Sequence, residues 1–250
     1  MIKGVLFDLS GVLYVGDRLL PGAREALLSL RAAAIPVRFI TNTTRSTRKQ
    51  IVAKLTRMGL NIRERDILTP AMAARYYLRT YQLTPHLLVH PNLWGEFADL
   101  LNDSPNAVLM GDAGNAFTYE TLNLAFRLLM EDKPLLAMGN NRYFQEIDGL
   151  SLDIGPFVAA MEYAANTQAV ILGKPSQDFF LTAVTSFGLQ PAEVVIVGDD
   201  AVADVIGGIN AGLQGILVRT GKYRSGDGRK VMTEGGQVVD NIDEAVDCIL

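Results

Sequence analysis

The sequence has few of the features that build secreted or membrane proteins. Its single cysteine, Cys248, cannot form an internal disulfide. No stretch offers the ~20 consecutive apolar residues that a membrane span requires. The chain begins Met1-Ile2-Lys3 directly before a strand-like apolar run, which leaves no room for a signal peptide. We therefore expect a cytoplasmic protein with no membrane partner.

Basic residues are not in surplus either. The 23 lysines and arginines face 27 acidic residues, for a net charge of -4. Proteins that bind nucleic acids usually carry a basic surplus or stripe, so no nucleic-acid partner is expected. Apolar residues, in contrast, make up 49% of the 250 positions, which is enough for a buried core. The length favours a core domain with a smaller inserted module.

Four short apolar runs predict strands of a parallel sheet, since such strands are buried on both faces. They span residues 4–7, 36–40, 194–197 and 215–218. Helical patterns lie between them, with apolar residues at i, i+3, i+4 and i+7 over residues 23–30 and 202–209. This βαβα alternation predicts an α/β fold with a doubly wound parallel sheet, similar to a Rossmann fold.

The middle of the chain carries strand and helix patterns of its own. Apolar runs at 87–89, 107–110 and 135–138 predict strands, and an apolar stripe over 122–129 predicts a helix. We therefore predict an inserted α/β module over residues 80–168. The core domain would consist of residues 1–79 and 169–250.

Polar side chains follow the predicted core strands, at the edge of the sheet where open α/β folds bind ligands. Asp8, Thr41 and Asp199 each end one apolar run, and Lys174 follows a further short one. Two carboxylates, a hydroxyl and an ammonium group suit phosphoryl transfer, in which a carboxylate can be the nucleophile and the protein neutralises charge. The carboxylates also suit Mg²⁺. Taken singly, Asp8, Thr41 and Asp199 are equally good helix N-caps.

The order of these segments resembles the four motifs of the haloacid dehalogenase (HAD) superfamily, and the insertion between the second and third resembles the C2-type cap of NagD-like phosphatases. Two segments most closely resemble the family of phospholysine phosphohistidine inorganic pyrophosphate phosphatases and its hydrolase-domain relatives: Asp-Leu-Ser-Gly-Val-Leu-Tyr at 8–14 and Thr-Gly-Lys-Tyr at 220–223. The motif segments are Asp-Leu-Ser-Gly-Val at 8–12, Thr-Asn at 41–42, Gly-Lys-Pro at 173–175 and Gly-Asp-Asp-Ala-Val-Ala-Asp at 198–204.

The resemblance implies a Mg²⁺-dependent phosphatase acting through an aspartyl phosphate. Asp8 would be the nucleophile and a metal ligand. Ser10 would offer its backbone carbonyl to the metal, and Asp199 its carboxylate. Asp204 would orient the metal site, together with Asp200, which lies four positions earlier and so shares a face of the predicted helix.

The resemblance also implies a phosphate-binding set and a substrate. Thr41 and Asn42 would bind the phosphoryl group of a small phosphorylated substrate, and Lys174 would neutralise the aspartyl phosphate. A second copy of the chain is a further candidate partner. In the inserted module, a polar stretch after a predicted strand is where a cap could face the substrate; its candidate residues are Asn141, Tyr143 and Asp148.

One position departs from the family pattern. Most phosphatases of the superfamily carry an aspartate two residues after the nucleophile, which protonates the leaving group and deprotonates water, but this chain has Ser10. A serine hydroxyl is a poor general acid, so a contribution of roughly 10²- to 10⁴-fold is in doubt. A substrate whose leaving group needs little protonation, such as a phosphoamide or pyrophosphate, is therefore favoured.

Two other functions fit parts of the pattern. A weakly active or inactive protein could use the same residues to bind a phosphorylated ligand. A receiver-like phosphorylation switch also combines acidic residues, a hydroxyl and a lysine. Receivers are about half this length, lack a cap and place the acidic pair before the acceptor, which argues against the switch.

Overall fold

A computed structural model of the chain describes residues 1–145 and 149–250, and these divide into two compact units. The first unit comprises Met1–Thr41, Arg48–Leu68 and Lys174–Leu250. The second unit comprises Asn42–Thr47 and Thr69–Gly173.

Strands and helices alternate along the chain. The strands are β1 (Gly4–Asp8), β2 (Tyr14–Val15), β3 (Arg18–Leu19), β4 (Val37–Ile40), β5 (Ile67–Leu68), β6 (Pro85–Leu88), β7 (Ala107–Met110), β8 (Leu135–Ala137), β9 (Tyr143–Gln145), β10 (Leu150–Leu152), β11 (Val170–Ile171), β12 (Val194–Gly198), β13 (Gln214–Val218) and β14 (Gln237–Val239). The α-helices are α1 (Ala23–Ala32), α2 (Arg48–Arg57), α3 (Pro70–Thr80), α4 (Trp94–Phe97), α5 (Tyr119–Leu129), α6 (Ile154–Ala165), α7 (Gln177–Thr185), α8 (Gly207–Asn210), α9 (Asp227–Thr233) and α10 (Ile242–Asp247).

Shorter helical segments complete these connections. A π-helical turn spans Ala201–Ile206, and 3₁₀ turns span Glu64–Asp66, Pro91–Leu93, Ala98–Leu100, Gly114–Ala116 and Pro191–Glu193. Of the helices in residues 1–145 and 149–250, none combines the length and the hydrophobicity that crossing a membrane requires.

The first unit is built on a parallel sheet of six strands in the order β14-β13-β12-β1-β4-β5. Every residue of β1 and β12 is buried, because the sheet is covered on both faces. Helices α1, α2 and α10 pack on one face, and α9 packs near Leu217 on the other. The predicted doubly wound parallel sheet is confirmed, with strands at all four of the predicted apolar runs.

The second unit has its own parallel sheet, of four strands in the order β11-β8-β7-β6, together with the antiparallel hairpin β9–β10. Helices α3 and α4 pack on one face of the sheet, and α5 and α6 on the other. The unit is wider than the predicted insertion of residues 80–168. Ala71, Ala74 and Leu78 of α3 pack against Leu109 and Leu136, and β11 pairs with β8, so both elements belong here.

The segment 202–209 differs from the single amphipathic helix that the sequence predicts. Its first part is the π-helical turn, in which the amide of Val205 donates to the carbonyl of Asp200 at 3.3 Å, five positions back. The wider turn breaks the predicted apolar stripe. Val205 is fully buried, whereas Val202 is 54% exposed.

Candidate active site

Three carboxylates and one ammonium group meet in the first unit. Lys174 Nζ lies 2.5 Å from Asp8 Oδ1 and 2.6 Å from Asp204 Oδ1. Asp8, Asp199 and Asp204 each bring a carboxylate oxygen within 4.8 Å of the other two. All four side chains are buried. The structure thus brings together four of the residues predicted from the sequence.

Two neighbouring strands position Asp8 and Asp199. In the register of β1 and β12, Phe7 lies opposite Val197, so Asp8 and Gly198 end the two strands side by side. Asp199 follows at once. Because both strands are buried and parallel, their carboxyl ends open at the same edge of the sheet. The expectation that these two carboxylates converge therefore follows from strand order alone.

Lys174 reaches the same place by a different path from the one predicted. The short run before it forms β11, which pairs with β8 in the sheet of the second unit and not with the six-stranded sheet. Lys174 begins the last segment of the first unit, and its peptide bond to Pro175 is cis. Lys174 does follow a short apolar run, as predicted, but that run belongs to the sheet of the second unit, whereas the ammonium group of Lys174 contacts Asp8 in the first.

The spacing of Asp200 and Asp204 predicts that they share a helix face, but in the structure they do not. Asp200 is the N-cap of the π-helical turn, and its Oδ1 accepts from the amides of Val202 and Ala203. Asp204 points inward. Its Oδ2 accepts from the Asp200 amide at 3.2 Å, and its other oxygen pairs with Lys174. Asp204 is therefore a buried partner of the lysine, and Asp200 shapes the turn that carries it.

Burial, together with the crowding of negative charge, shifts the pKa values of this cluster. Burial, and then the charges of Asp8 and Asp204, raise the pKa of Asp199 to about 8. Burial also raises the pKa of Asp204 to about 6, against the opposing effect of the Lys174 ammonium. Burial alone would lower the pKa of Lys174, but the carboxylates of Asp204 and Asp8 raise it. The nearby positive charge is therefore not enough to keep the pKa values of Asp199 and Asp204 at their usual level.

The donor set fits a hard divalent cation. Mg²⁺ prefers oxygen ligands and is usually held by one or two carboxylates, with water and substrate oxygens completing its shell. Within residues 1–145 and 149–250, Asp8, Asp199 and Asp204 form the one group of at least three acidic, histidine or cysteine side chains close enough to share an ion. A cation there would offset the two effects, burial first and then the charges of Asp8 and Asp204, that raise the pKa of Asp199.

The turn at residues 220–222 holds Asp199 in place. In the sequence this segment was noticed only for its resemblance to the family. The amide of Lys222 donates to Asp199 Oδ2 at 2.6 Å, and Thr220 Oγ1 donates to the carbonyl of Gly11 at 2.5 Å. Gly11 and Gly221 both have positive φ, 95° and 54°, and a Cβ on either would overlap the Asp199 carboxylate. The sequence signal was the resemblance of Thr-Gly-Lys-Tyr at 220–223 to the family, which did not show that the turn contacts Asp199.

Tyr14 also lies near the site and was missed. It is in the hairpin β2–β3, and its carbonyl accepts from the Gly11 amide at 2.7 Å. Lys54 Nζ lies 4.7 Å from the centre of its ring. Burial, then the negative charges of Asp8 and Asp17, raise the pKa of Tyr14 to about 12. The phenol therefore keeps its proton at neutral pH, within the field of Asp8.

The remaining core candidates lie on two sides of a unit boundary. Thr41 is buried in the first unit and follows Ile40, which lies opposite Asp8 in the sheet. The side chain of Ser10 is exposed, two residues after Asp8. Asn42, directly after Thr41, belongs to the second unit. There, a Cβ on Gly173 would lie 3.0 Å from Asn42 Oδ1, so Gly173 allows the close approach of that amide.

Of the candidates in the second unit, Tyr143 lies in a strand, and Asn141 lies just before that strand. Tyr143 begins β9, opposite Leu152 of β10, and is 52% exposed. The carbonyl of Asn141 accepts from the Gly155 amide at 2.9 Å, which ties the hairpin to the start of α6. Asp148 lies outside the described residues.

Comparison with known proteins links the chain to hydrolases. Residues 5–101 match the model of a family described as haloacid dehalogenase-like hydrolase, and residues 171–245 match one described as HAD-hydrolase-like. The chain is 43% identical to human haloacid dehalogenase-like hydrolase domain-containing protein 2 over 249 residues, covering 100% of this chain and 96% of that protein.

Two further comparisons are with proteins named as phosphatases. The chain is 44% identical to the zebrafish (Danio rerio) phospholysine phosphohistidine inorganic pyrophosphate phosphatase, covering 100% of this chain and 94% of that protein. Its fold is similar to the crystal structure of a 4-nitrophenylphosphatase from Thermotoga maritima, with a TM-score of 0.91 and 28% identity, over 98% of this chain and 97% of that one.

Proposed function

Because the chain belongs to the haloacid dehalogenase-like hydrolases, we propose that it is a Mg²⁺-dependent phosphatase with Asp8 as the nucleophile. The membership confirms the resemblance drawn from the four motifs. The observation that carries the proposal is the buried contact of Lys174 with both Asp8 and Asp204, beside Asp199. It supports the proposal because it pairs an ammonium group with a carboxylate at the carboxyl ends of parallel strands, the edge where open α/β sheets bind ligands and where phosphoryl transfer needs neutralised charge.

In the proposed reaction, a carboxylate oxygen of Asp8 attacks phosphorus as the bond to the leaving group breaks. Water then attacks the aspartyl phosphate, which releases inorganic phosphate and restores Asp8. Lys174 orients the Asp8 carboxylate and offsets its charge as the anionic substrate approaches. Thr41, at the end of the neighbouring strand, and Asn42 bind the phosphoryl oxygens.

Asp8, Asp199 and the backbone carbonyl of Ser10 would hold Mg²⁺. When bound, the ion offsets the repulsion between Asp8 and an anionic phosphoryl group. Both carboxylate oxygens of Asp204 already have partners, Lys174 and the Asp200 amide. Asp204 therefore positions Lys174, and Asp200 stabilises the turn that carries Asp204. The turn at residues 220–222 fixes Asp199.

In this proposal the inserted residues 80–168, which lie within the second unit, act as a C2-type cap that selects the substrate. The exposed side chain of Tyr143 and its neighbours Asn141 and Asp148 face the substrate in this proposal. Tyr143→Ala is then expected to change KM and substrate preference while the calorimetric Mg²⁺ affinity is unchanged. A loss of Mg²⁺ affinity would contradict a selective cap.

The protein would act in the cytoplasm, and a homodimer is the proposed assembly.

The substrate class follows from Ser10. Without a carboxylic acid two residues after Asp8, the enzyme favours leaving groups that depart with little protonation, such as those of phosphoamides, pyrophosphate and activated aryl phosphates. The names of two similar proteins, a phospholysine phosphohistidine inorganic pyrophosphate phosphatase and a 4-nitrophenylphosphatase, support this class. The same serine favours a second candidate function, a weakly active protein that binds phosphorylated ligands.

A hydrolysis screen separates the two candidates. Pyrophosphate, phospholysine, phosphohistidine and 4-nitrophenyl phosphate are incubated with the purified protein in Mg²⁺ or in EDTA. The enzyme should release phosphate only with Mg²⁺, and Asp8→Asn should abolish release while its circular dichroism is unchanged. Asp247→Asn, the same change at an exposed position of α10, is the matched control. Full activity of the Asp8 variant would exclude the proposed nucleophile.

A further inference from the structure

Lys222 has a backbone role and a side-chain role that can be separated. Its amide donates to Asp199 Oδ2 at 2.6 Å, and the turn before it is fastened to the first motif through Thr220 and Gly11. The backbone of residue 222 is thus held at the carboxylate cluster whatever side chain it carries. The side chain itself is 55% exposed, unlike that of Lys174, which is 3% exposed.

The ammonium group of Lys222 lies beside Asp200, next to the carboxylates of the site. Its Nζ is 3.6 Å from Asp200 Oδ2, and the charges of Asp200, Asp204, Asp8 and Asp199 all act on it. Lys174 is committed to the buried contacts with Asp8 and Asp204. When all are ionised, four carboxylates against two ammonium groups leave a surplus of two negative charges. A bound Mg²⁺ would bring this sum to zero only with the charge of Lys222 included; without Lys222, an anionic substrate would meet a net charge of -1.

We propose that Lys222 is the residue that draws the anionic substrate to this site and that its charge also weakens the binding of Mg²⁺ there. This inference rests on the proposed phosphatase function. An exposed charge at the rim of a site acts mainly on association and is screened by salt, whereas it repels a cation bound by the same carboxylates. A single charge thus has opposite effects on the two ligands, which a structural role of the side chain would not produce.

The test compares Lys222→Met and Lys222→Arg with Lys230→Met. Both Lys222 variants keep the amide that holds Asp199. Lys230→Met is the matched control, since it removes the same charge from the same unit. The side chain of Lys230 is also exposed and also pairs with an aspartate, Asp227, at 2.9 Å. Two quantities are measured: kcat/KM for 4-nitrophenyl phosphate with Mg²⁺ at a series of salt concentrations, and the Kd of Mg²⁺ by calorimetry without substrate.

For Lys222→Met we expect kcat/KM at low salt to fall roughly three- to tenfold, mostly through KM, and the difference from the wild type to shrink as salt screens the charge. The Kd of Mg²⁺ should decrease by a roughly similar factor, because a nearby positive charge is gone. Lys222→Arg should match the wild type in both measurements, and so should Lys230→Met.

Several outcomes would overturn the inference. These are a salt-independent loss of kcat/KM, equal effects of the Lys222 and Lys230 substitutions, and a Mg²⁺ affinity that is unchanged or weaker in Lys222→Met. The Mg²⁺ measurement needs no turnover. If the wild-type protein hydrolyses none of the phosphorylated compounds, the phosphatase proposal fails on its own, and an unchanged Kd in Lys222→Met would then overturn the inference separately.

Discussion

The ammonium group of Lys174 lies 2.5 Å from the carboxylate of Asp8, although 166 positions separate the two residues in the chain. Both side chains are buried, and the same ammonium group pairs with Asp204. A buried pair of this kind contributes little net stability when intact, but removing one partner leaves an uncompensated buried charge. The contact therefore makes Lys174 important for folding and for turnover in different ways.

Lys174→Met should lower turnover by roughly 10²- to 10³-fold, the typical loss when one group that stabilises charge in the transition state is removed. It should also lower the free energy of unfolding by about 3–5 kcal/mol at pH 8, where Asp8 and Asp204 would be buried without their cation. The loss should be smaller at pH 5, because the pKa of Asp204, already raised to about 6, rises further without Lys174.

Urea unfolding at the two pH values, with phosphate release measured in parallel, checks this prediction. Lys3→Met is the control, since it breaks an exposed pair with Glu193 and should change the unfolding free energy by less than about 1 kcal/mol. An equal loss of stability at pH 5 and pH 8 would show that the charge of Lys174 is not what the fold depends on.

Binding of Mg²⁺ should strengthen as pH rises from 6 to 8. The ion binds ionised carboxylates, and the pKa of Asp199 is raised to about 8, so protons compete with the metal below that pH. The stability of the metal-free protein should change in the opposite direction, since the contribution of Asp199 to the free energy of unfolding falls as pH rises. A carboxyl group whose pKa is higher in the folded than in the unfolded protein contributes stability below its unfolded value of ~3.9, which is lost as pH rises to about 8.

The increase in melting temperature produced by Mg²⁺ should therefore be larger at pH 8 than at pH 6. Calorimetry in two buffers of different ionisation enthalpy should show proton release on binding, and this release should decline above pH 8. A constant Mg²⁺ affinity between pH 6 and 8 would place the ion away from Asp199.

Ser10→Asp tests the leaving-group argument. If a missing general acid restricts the enzyme, the new carboxyl group should raise kcat/KM for an alkyl phosphate by part of the roughly 10²- to 10⁴-fold term, on the order of 3 to 5 kcal/mol at most. The gain is partial, because a carboxylate near Asp8 adds repulsion. Hydrolysis of 4-nitrophenyl phosphate should change little. An equal change for both substrates would show that Ser10 does not limit protonation.

Much of the fold and the central carboxylates could be predicted from the sequence. Asp8 and Asp199 each end a continuous apolar run, and two such buried parallel strands open at one edge, so their convergence follows from local pattern. The path of Lys174 could not be predicted, because β11 is short and its partner β8 is set by tertiary packing. The same holds for α3, whose apolar stripe alone does not show which sheet it covers.

The prediction that Asp200 and Asp204 share a helix face was wrong. A regular α-helix, with 3.6 residues per turn, would put both side chains on one face, but the π-helical turn places Asp200 at its N-cap and Asp204 in the interior. The segment at residues 220–223 was noticed only as a family resemblance, and its contact with Asp199 was not predicted. It holds Asp199 through a backbone amide, and backbone contacts leave little trace in side-chain pattern.

Gly221→Ala tests whether that turn shapes the metal site. Gly221 has a φ of 54°, and an added Cβ would overlap the carboxylate of Asp199. The substitution should displace Asp199, weaken Mg²⁺ binding by about tenfold or more and reduce turnover, at a cost of about 1–2 kcal/mol in stability from the left-handed backbone. Gly188→Ala separates the two effects, since Gly188 also has a positive φ, 69°, with open space around its Cβ position. It should show the stability cost with normal Mg²⁺ affinity. If both variants bind Mg²⁺ as the wild type does, then Asp199 is not held by the turn or does not bind the ion.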